Sequence, residues 1–171
     1  MKKILIVFVS LFFVNLCVSS QIQRKFYDFT LGQTTKSEVE GYFKSKGKET
    51  LEYTTERIVV DGMRFGSADW LTTAFVFYKG KLQMVYFADD ERSSSKEAIK
   101  TEWDRMVNSI DKKYSEYLKA LLSNEKHLFY SDGKTSISFT YTNSDGIDGI
   151  TLLYSDEQLV NEQLKDGENE L

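Results

Sequence analysis

The chain contains no proline, one histidine and one cysteine among its 171 residues, and each scarcity removes a class of structure or chemistry. Without proline, every turn must be built from Gly, Asn, Asp or Ser. The lone cysteine, Cys17, sits in an N-terminal stretch expected to be cleaved off. The rest then offers no disulfide, no thiolate nucleophile and no zinc–thiolate site. A catalytic imidazole needs a nucleophile and an orienting acid, and no Gly-x-Ser-x-Gly elbow accompanies His127, which reads as structural or exposed. The sequence carries no cofactor motif, and no cofactor is expected.

Charge is not gathered either. The formal net charge is −4, and the basic residues are scattered along the chain without forming a stripe. An acidic domain repels phosphate backbones, so nucleic acid is not expected as a partner.

What is present begins with a leader. Lys2 and Lys3 form a positive n-region, and Ile4 to Val14 is an apolar run of about eleven residues, the length of a signal h-region. A membrane-spanning helix needs about 20 such residues, so no membrane span is expected in the mature form. Val18-Ser19-Ser20 suits cleavage before Gln21, which makes residues 1–20 a signal peptide and the product periplasmic or extracellular. Lipidation at Cys17 would want a small residue before it, and Leu16 is there instead. Loss of the leader takes away two lysines and no acid, which leaves the mature chain more acidic by two charges.

Residues 21–155 read as a single α+β domain, with 156–171 as an acidic C-terminal helix or tail. Thr35-Lys36-Ser37-Glu38 is a capping box, followed by Val39, Tyr42 and Phe43 at helical spacing and Gly47 as a stop. Strand patterns are expected near Leu51 to Val60, Leu71 to Tyr78 and Leu82 to Ala88, the last two joined as a hairpin through Lys79-Gly80-Lys81. Ser94-x-x-Glu97 reads as a second capping box. It opens a long amphipathic helix with Ile99, Trp103, Met106, Val107, Ile110 and Tyr114 on one face. The stripe persists through Tyr117, Leu118, Leu121 and Leu122, where the helix is expected to continue or re-form. Three more strands follow: Leu128 to Tyr130, Thr135 to Thr142 and Ile147 to Tyr154. Two α-β-β-β halves, with an antiparallel sheet carrying both helices on one face, bury these stripes most economically.

The run Phe29-Thr30-Leu31-Gly32-Gln33-Thr34-Thr35-Lys36-Ser37-Glu38-Val39, followed by an aromatic-rich hairpin, resembles small exported bacterial proteins with a fold like β-lactamase inhibitor protein. It is similar, more distantly, to the opening of the SmpA/OmlA (BamE-like) outer-membrane assembly lipoproteins. That resemblance implies a binding or assembly protein without enzymatic activity. The Gly-x-Pro usual after the first helix of the lipoproteins is missing here.

Acids at Asp69, Asp89, Asp90 and Glu91 supply the residue types of a glycosidase, but acids in loops are the ordinary means of solvation. Asn143-x-Asp145-Gly146-x-Asp148 lacks the full calcium-loop pattern and a closing glutamate, so it reads as a hairpin turn and no metal is expected. Aromatic abundance is the remaining signal. Several strands are apolar on both faces while two helices can cover only one, so Phe75 and Phe77 are expected inward. Trp70, Tyr78 and Tyr86 are expected on an open face that binds an unknown protein or envelope ligand. A carbohydrate- or small-ligand-binding module is the alternative, and a hydrolase of unrecognised family a further one.

Overall fold

The computed structural model describes residues 21–90 and 94–169; the expected signal peptide lies outside the described residues. The chain enters through a miniature hairpin, β1 (Lys25–Phe26) with β2 (Phe29–Thr30), turned by Tyr27 in the left-handed region at φ 54°. Helix α1 (Lys36–Ser45) starts at the expected box, with Thr35 N donating to Glu38 Oε2 at 2.7 Å and Thr35 Oγ1 accepting from Glu38 N at 3.4 Å. It buries Val39 and Phe43.

Four strands follow, where three are expected from the sequence. A turn at Thr55 and Glu56 splits the run from Leu51 into β3 (Leu51–Thr54) and β4 (Arg57–Phe65), and β5 (Ala68–Tyr78) and β6 (Lys81–Asp90) complete the set. Asp61-Gly62 lies inside β4. Gly62 has φ 63°, outside strand geometry, and it breaks the two-residue alternation. Val60 and Met63, three apart, are therefore both buried.

Helix α2 (Lys96–Tyr114) is capped by Ser95, one residue later than the expected box, its Oγ accepting from Ala98 N at 3.2 Å. It ends at Tyr114 and gives way to two short 3-10 turns at Ser115–Tyr117 and Ala120–Leu122, so the expected helical continuation does not form. Strands β7 (His127–Ser131), β8 (Thr135–Ser144) and β9 (Ile147–Asp156) lead into α3 (Glu157–Asn169).

All seven long strands join one antiparallel sheet in the order β3-β4-β5-β6-β9-β8-β7. Register partners share a face. Phe139, Leu152, Phe87 and Thr73 form one row across β8, β9, β6 and β5, and all are buried. Helix α2 lies on this face, with Trp103 stacked on Phe139 at 4.4 Å between ring centroids. Helix α1 lies on the same face, with Phe43 meeting Phe75 at 5.6 Å. The entry hairpin adds Phe26 against Tyr154 at 4.7 Å and Phe29 against Phe75 at 5.3 Å. Aromatic edges meeting at these distances supply much of the core's area and some directional preference. The fold is α+β, with α1 and α2 on one face of the sheet. No helix among the described residues is long and apolar enough to cross a membrane.

Candidate functional site

The other sheet face is built by the alternate residues. Val59, Ala74, Tyr86, Leu153, Ser138 and Phe129 are register partners in a straight row across six strands. The next row toward α3 is Arg57, Val76, Met84, Ser155, Ser136 and Ser131. Val59 and Ala74 are buried, whereas Tyr86, Met84, Leu153 and Phe129 are half-buried, so apolar groups occupy the middle of a face that neither α1 nor α2 covers, with hydroxyls around them. In β6 a register irregularity opposite Val76 and Phe77 separates Leu82 and Val85 by three residues, so both serve the core while Gln83 points away from it.

Helix α3 borders this open face and is no frayed tail. Asp156 caps it, its Oδ1 accepting from Leu159 N at 2.9 Å. Gln83 Nε2, almost wholly buried, donates to Leu159 O at 3.2 Å and Gln163 Oε1 at 2.8 Å. Further along, Tyr78 Oη donates to the Asp166 carboxylate, which also holds Lys79 Nζ at 2.7 Å.

Between α3 and the segment Leu118–Leu122 lies a groove of about 880 Å³. Met84, Leu153 and Phe129 form its apolar floor, with Ser131, Ser136 and Ser155 beside them. One wall is the first two turns of α3, at Glu157, Val160 and Asn161; the other is Leu118 to Leu122. Leu121 is fully exposed and Leu122 is 58% exposed, unusual for leucines next to each other on a folded surface. A buried oxygen in this wall, Glu157 Oε1, has no hydrogen-bond partner among the described residues.

Of the three residues expected on the binding face, the structure brings only one to it cleanly. Trp70 is a correction. It is 2% exposed, packs on Phe87 at 5.6 Å and donates from Nε1 to Phe65 O at 3.4 Å, because the irregularity at Gly62 turns the Met63/Trp70 pair inward. Tyr78 is on the open side but is engaged by α3 through Asp166. Tyr86 is half-buried beside Leu153 in the row that floors the groove, and burial raises its hydroxyl pKa against the opposing influence of Arg57. Phe75 and Phe77 are buried, on the face of the helices. Strand alternation could not reveal the leucines of 118–122, since their spacing reads equally well as a helix stripe.

Two polar arrangements flank this surface. His127 Nε2 lies 2.9 Å from Ser138 Oγ on the open face. Ser138 is mid-strand between Phe129 and Leu153, so its backbone is committed to the ladder and cannot form an oxyanion hole beside it. At the opposite end of the sheet, the turn through Asp145 and Gly146 has φ 55° and 80°, the left-handed pair of a tight hairpin, and leads into Asp148. Asp148 is buried; Asn143, then Lys96 at 2.9 Å, then Tyr141 hydrogen-bond its carboxylate and lower its pKa to about 2. No group of three or more His, Cys, Asp or Glu side chains among the described residues is placed to hold a metal ion. Of the expected acidic patch, Asp89 and Asp90 end β6, and Glu91 lies outside the described residues.

Fold and site together describe an antiparallel α+β domain with an apolar groove on the sheet face away from α1 and α2. No family model, no curated protein and no solved structure matches the chain, so the assignment rests on its own residues.

Proposed function

We propose that this protein is an exported, non-enzymatic binding protein that holds a protein or cell-envelope component against its open sheet face. The observation that carries this is the row Tyr86–Leu153–Phe129 with Met84. It is a largely apolar surface, interrupted by Ser138 between Leu153 and Phe129, in the middle of a sheet whose other face already holds both core helices, and it is walled by α3 and the exposed leucines of 118–122. Exposed apolar area of this kind costs solubility and is kept where a partner covers it. Export is supported by the leader pattern and by Ile22, 1% exposed, with its backbone N bonded to Asp132 Oδ2 at 2.9 Å. Ile22, the second residue past the expected cleavage point, is thus part of the core.

The test is a photo-crosslinking residue at position 86 in producing cells, with mass spectrometry of the adducts and of the mature N-terminus. Adducts that vanish in Leu153→Ser, together with an N-terminus at or near Gln21, are expected. Absence of position-specific adducts, or a lipid-modified Cys17, would overturn the binding-face reading or the export reading respectively.

A further inference from the structure

We infer that the groove's occupant is an amphipathic α-helix of a partner protein, with an aliphatic stripe on the floor and one basic side chain at Glu157. This deepens the binding reading above and rests on it. The floor runs from Met84 on β6 across β9 and β8 to Phe129 on β7. Three strand spacings of about 4.8 Å make it about 14 Å across. An α-helix with its side chains is about 10–12 Å in diameter and fits that width. A single hydrocarbon chain, whose neighbours pack at about 4 Å, would leave most of it empty.

Addition of an extended strand is closed off at the adjoining edge. The outer side of β7 is already occupied by this chain, with Lys119 N donating to Phe129 O at 2.8 Å, a bridge from Leu118 to Tyr130 and another from Asn124 to His127. What remains is side-chain recognition from above, the helix-in-groove mode. The charge preference comes from Glu157. Among the described residues it is the one acidic side chain that lines the groove, on the α3 wall, while Lys119 lies on the facing wall. A lysine or arginine at the α3 margin of an apolar stripe supplies the complementary charge to that carboxylate.

The experiment is a fluorescence-anisotropy titration of the mature protein with labelled amphipathic peptides about 18 residues long, or five helical turns. The first carries leucines at helical spacing and one lysine beside the stripe, the second has norleucine in place of that lysine, and the third has the stripe scrambled. Saturable binding is expected for the first peptide. It should weaken about tenfold or more in the double variant Leu121→Ser/Leu122→Ser, whose side chains are exposed and not needed for folding. Glu157→Gln should weaken the lysine peptide several-fold and leave the norleucine peptide unchanged. Equal binding of the scrambled peptide, or indifference to both variants, would overturn the proposal. So would sedimentation showing that the protein dimerises through Leu121, with a second copy as the occupant. If the peptides fail while adducts at position 86 persist, the helical occupant is wrong and the binding face stands. If both fail, the face itself is wrong.

Discussion

The Arg24 guanidinium is ion-paired with the carboxylate of Asp156, the residue that ends β9 and caps α3. Arg24 also donates to Lys134 O at 2.9 Å, Thr135 Oγ1 at 2.8 Å and Leu31 O at 3.0 Å. One side chain therefore ties the entry arm, the β7–β8 turn and the start of the C-terminal helix together. Gly32 completes the joint. At φ 77° it is in the left-handed region, and a Cβ there would come 2.5 Å from Asp156 Oδ2. Arg24→Ala should leave Asp156, 5% exposed, without its counter-ion and cost about 3 kcal/mol in urea denaturation, the low end of the range for a broken buried pair because Arg24 is partly solvated. A loss under about 0.5 kcal/mol would show that the pair is a solvated contact without structural weight.

Trp70→Ala should destabilise the fold by about 3–5 kcal/mol, the usual cost of emptying a large aromatic site in a core. Since Trp70 and Trp103 are the two tryptophans and both are buried, native emission should be blue-shifted and move red on unfolding. Native Trp70→Ala protein with wild-type stability would place the ring at the surface after all.

Tyr78 and Tyr86 should separate in their effects. Tyr78→Phe removes the bond to Asp166 and should raise hydrogen exchange in the second half of α3 while leaving partner adducts intact. Tyr86→Ala should reduce those adducts with little change in α3 exchange. The reverse pattern would move the binding surface onto α3.

The acid limb of the stability curve should carry a contribution from Asp148. Its folded-state pKa of about 2 lies below the ordinary carboxyl value, so ionisation favours the native state. The stabilisation is complete above about pH 4 and is lost as pH falls toward about 2. The stability gap between wild type and Asp148→Asn should therefore narrow across that interval, as measured by thermal unfolding at stepped pH. A gap independent of pH there would show that the substitution acts through packing alone.

The His127–Ser138 pair should not behave as a catalytic dyad. Incubation with a fluorophosphonate should leave the intact mass unchanged, and an adduct on Ser138 would revive the hydrolase alternative.

Local patterns settled much of this molecule. The capping box at Thr35 and Glu38, the hairpin through Lys79 and Gly80 and the core stripe of α2 depend on neighbours in the chain, and the structure has each of them. Burial of Phe75 and Phe77 followed from the solubility cost of exposing phenylalanine. Other features depended on contacts far apart in sequence. A left-handed Gly62 inside β4 reversed the face of Trp70, and an extra residue in β6 turned Gln83 toward α3. Helix α3 is held by contacts distant in sequence, its cap Asp156 by Arg24, 132 positions away, and its body by Gln83 and Tyr78. Leu118, Leu121 and Leu122 match a helical period, yet the chain leaves the helix at Tyr114 and lays Leu118 and Lys119 along β7. Periodicity reports which residues lie on the same side of an element. Which side meets the core and which stays open is decided only when the elements pack, and that choice made this face a groove.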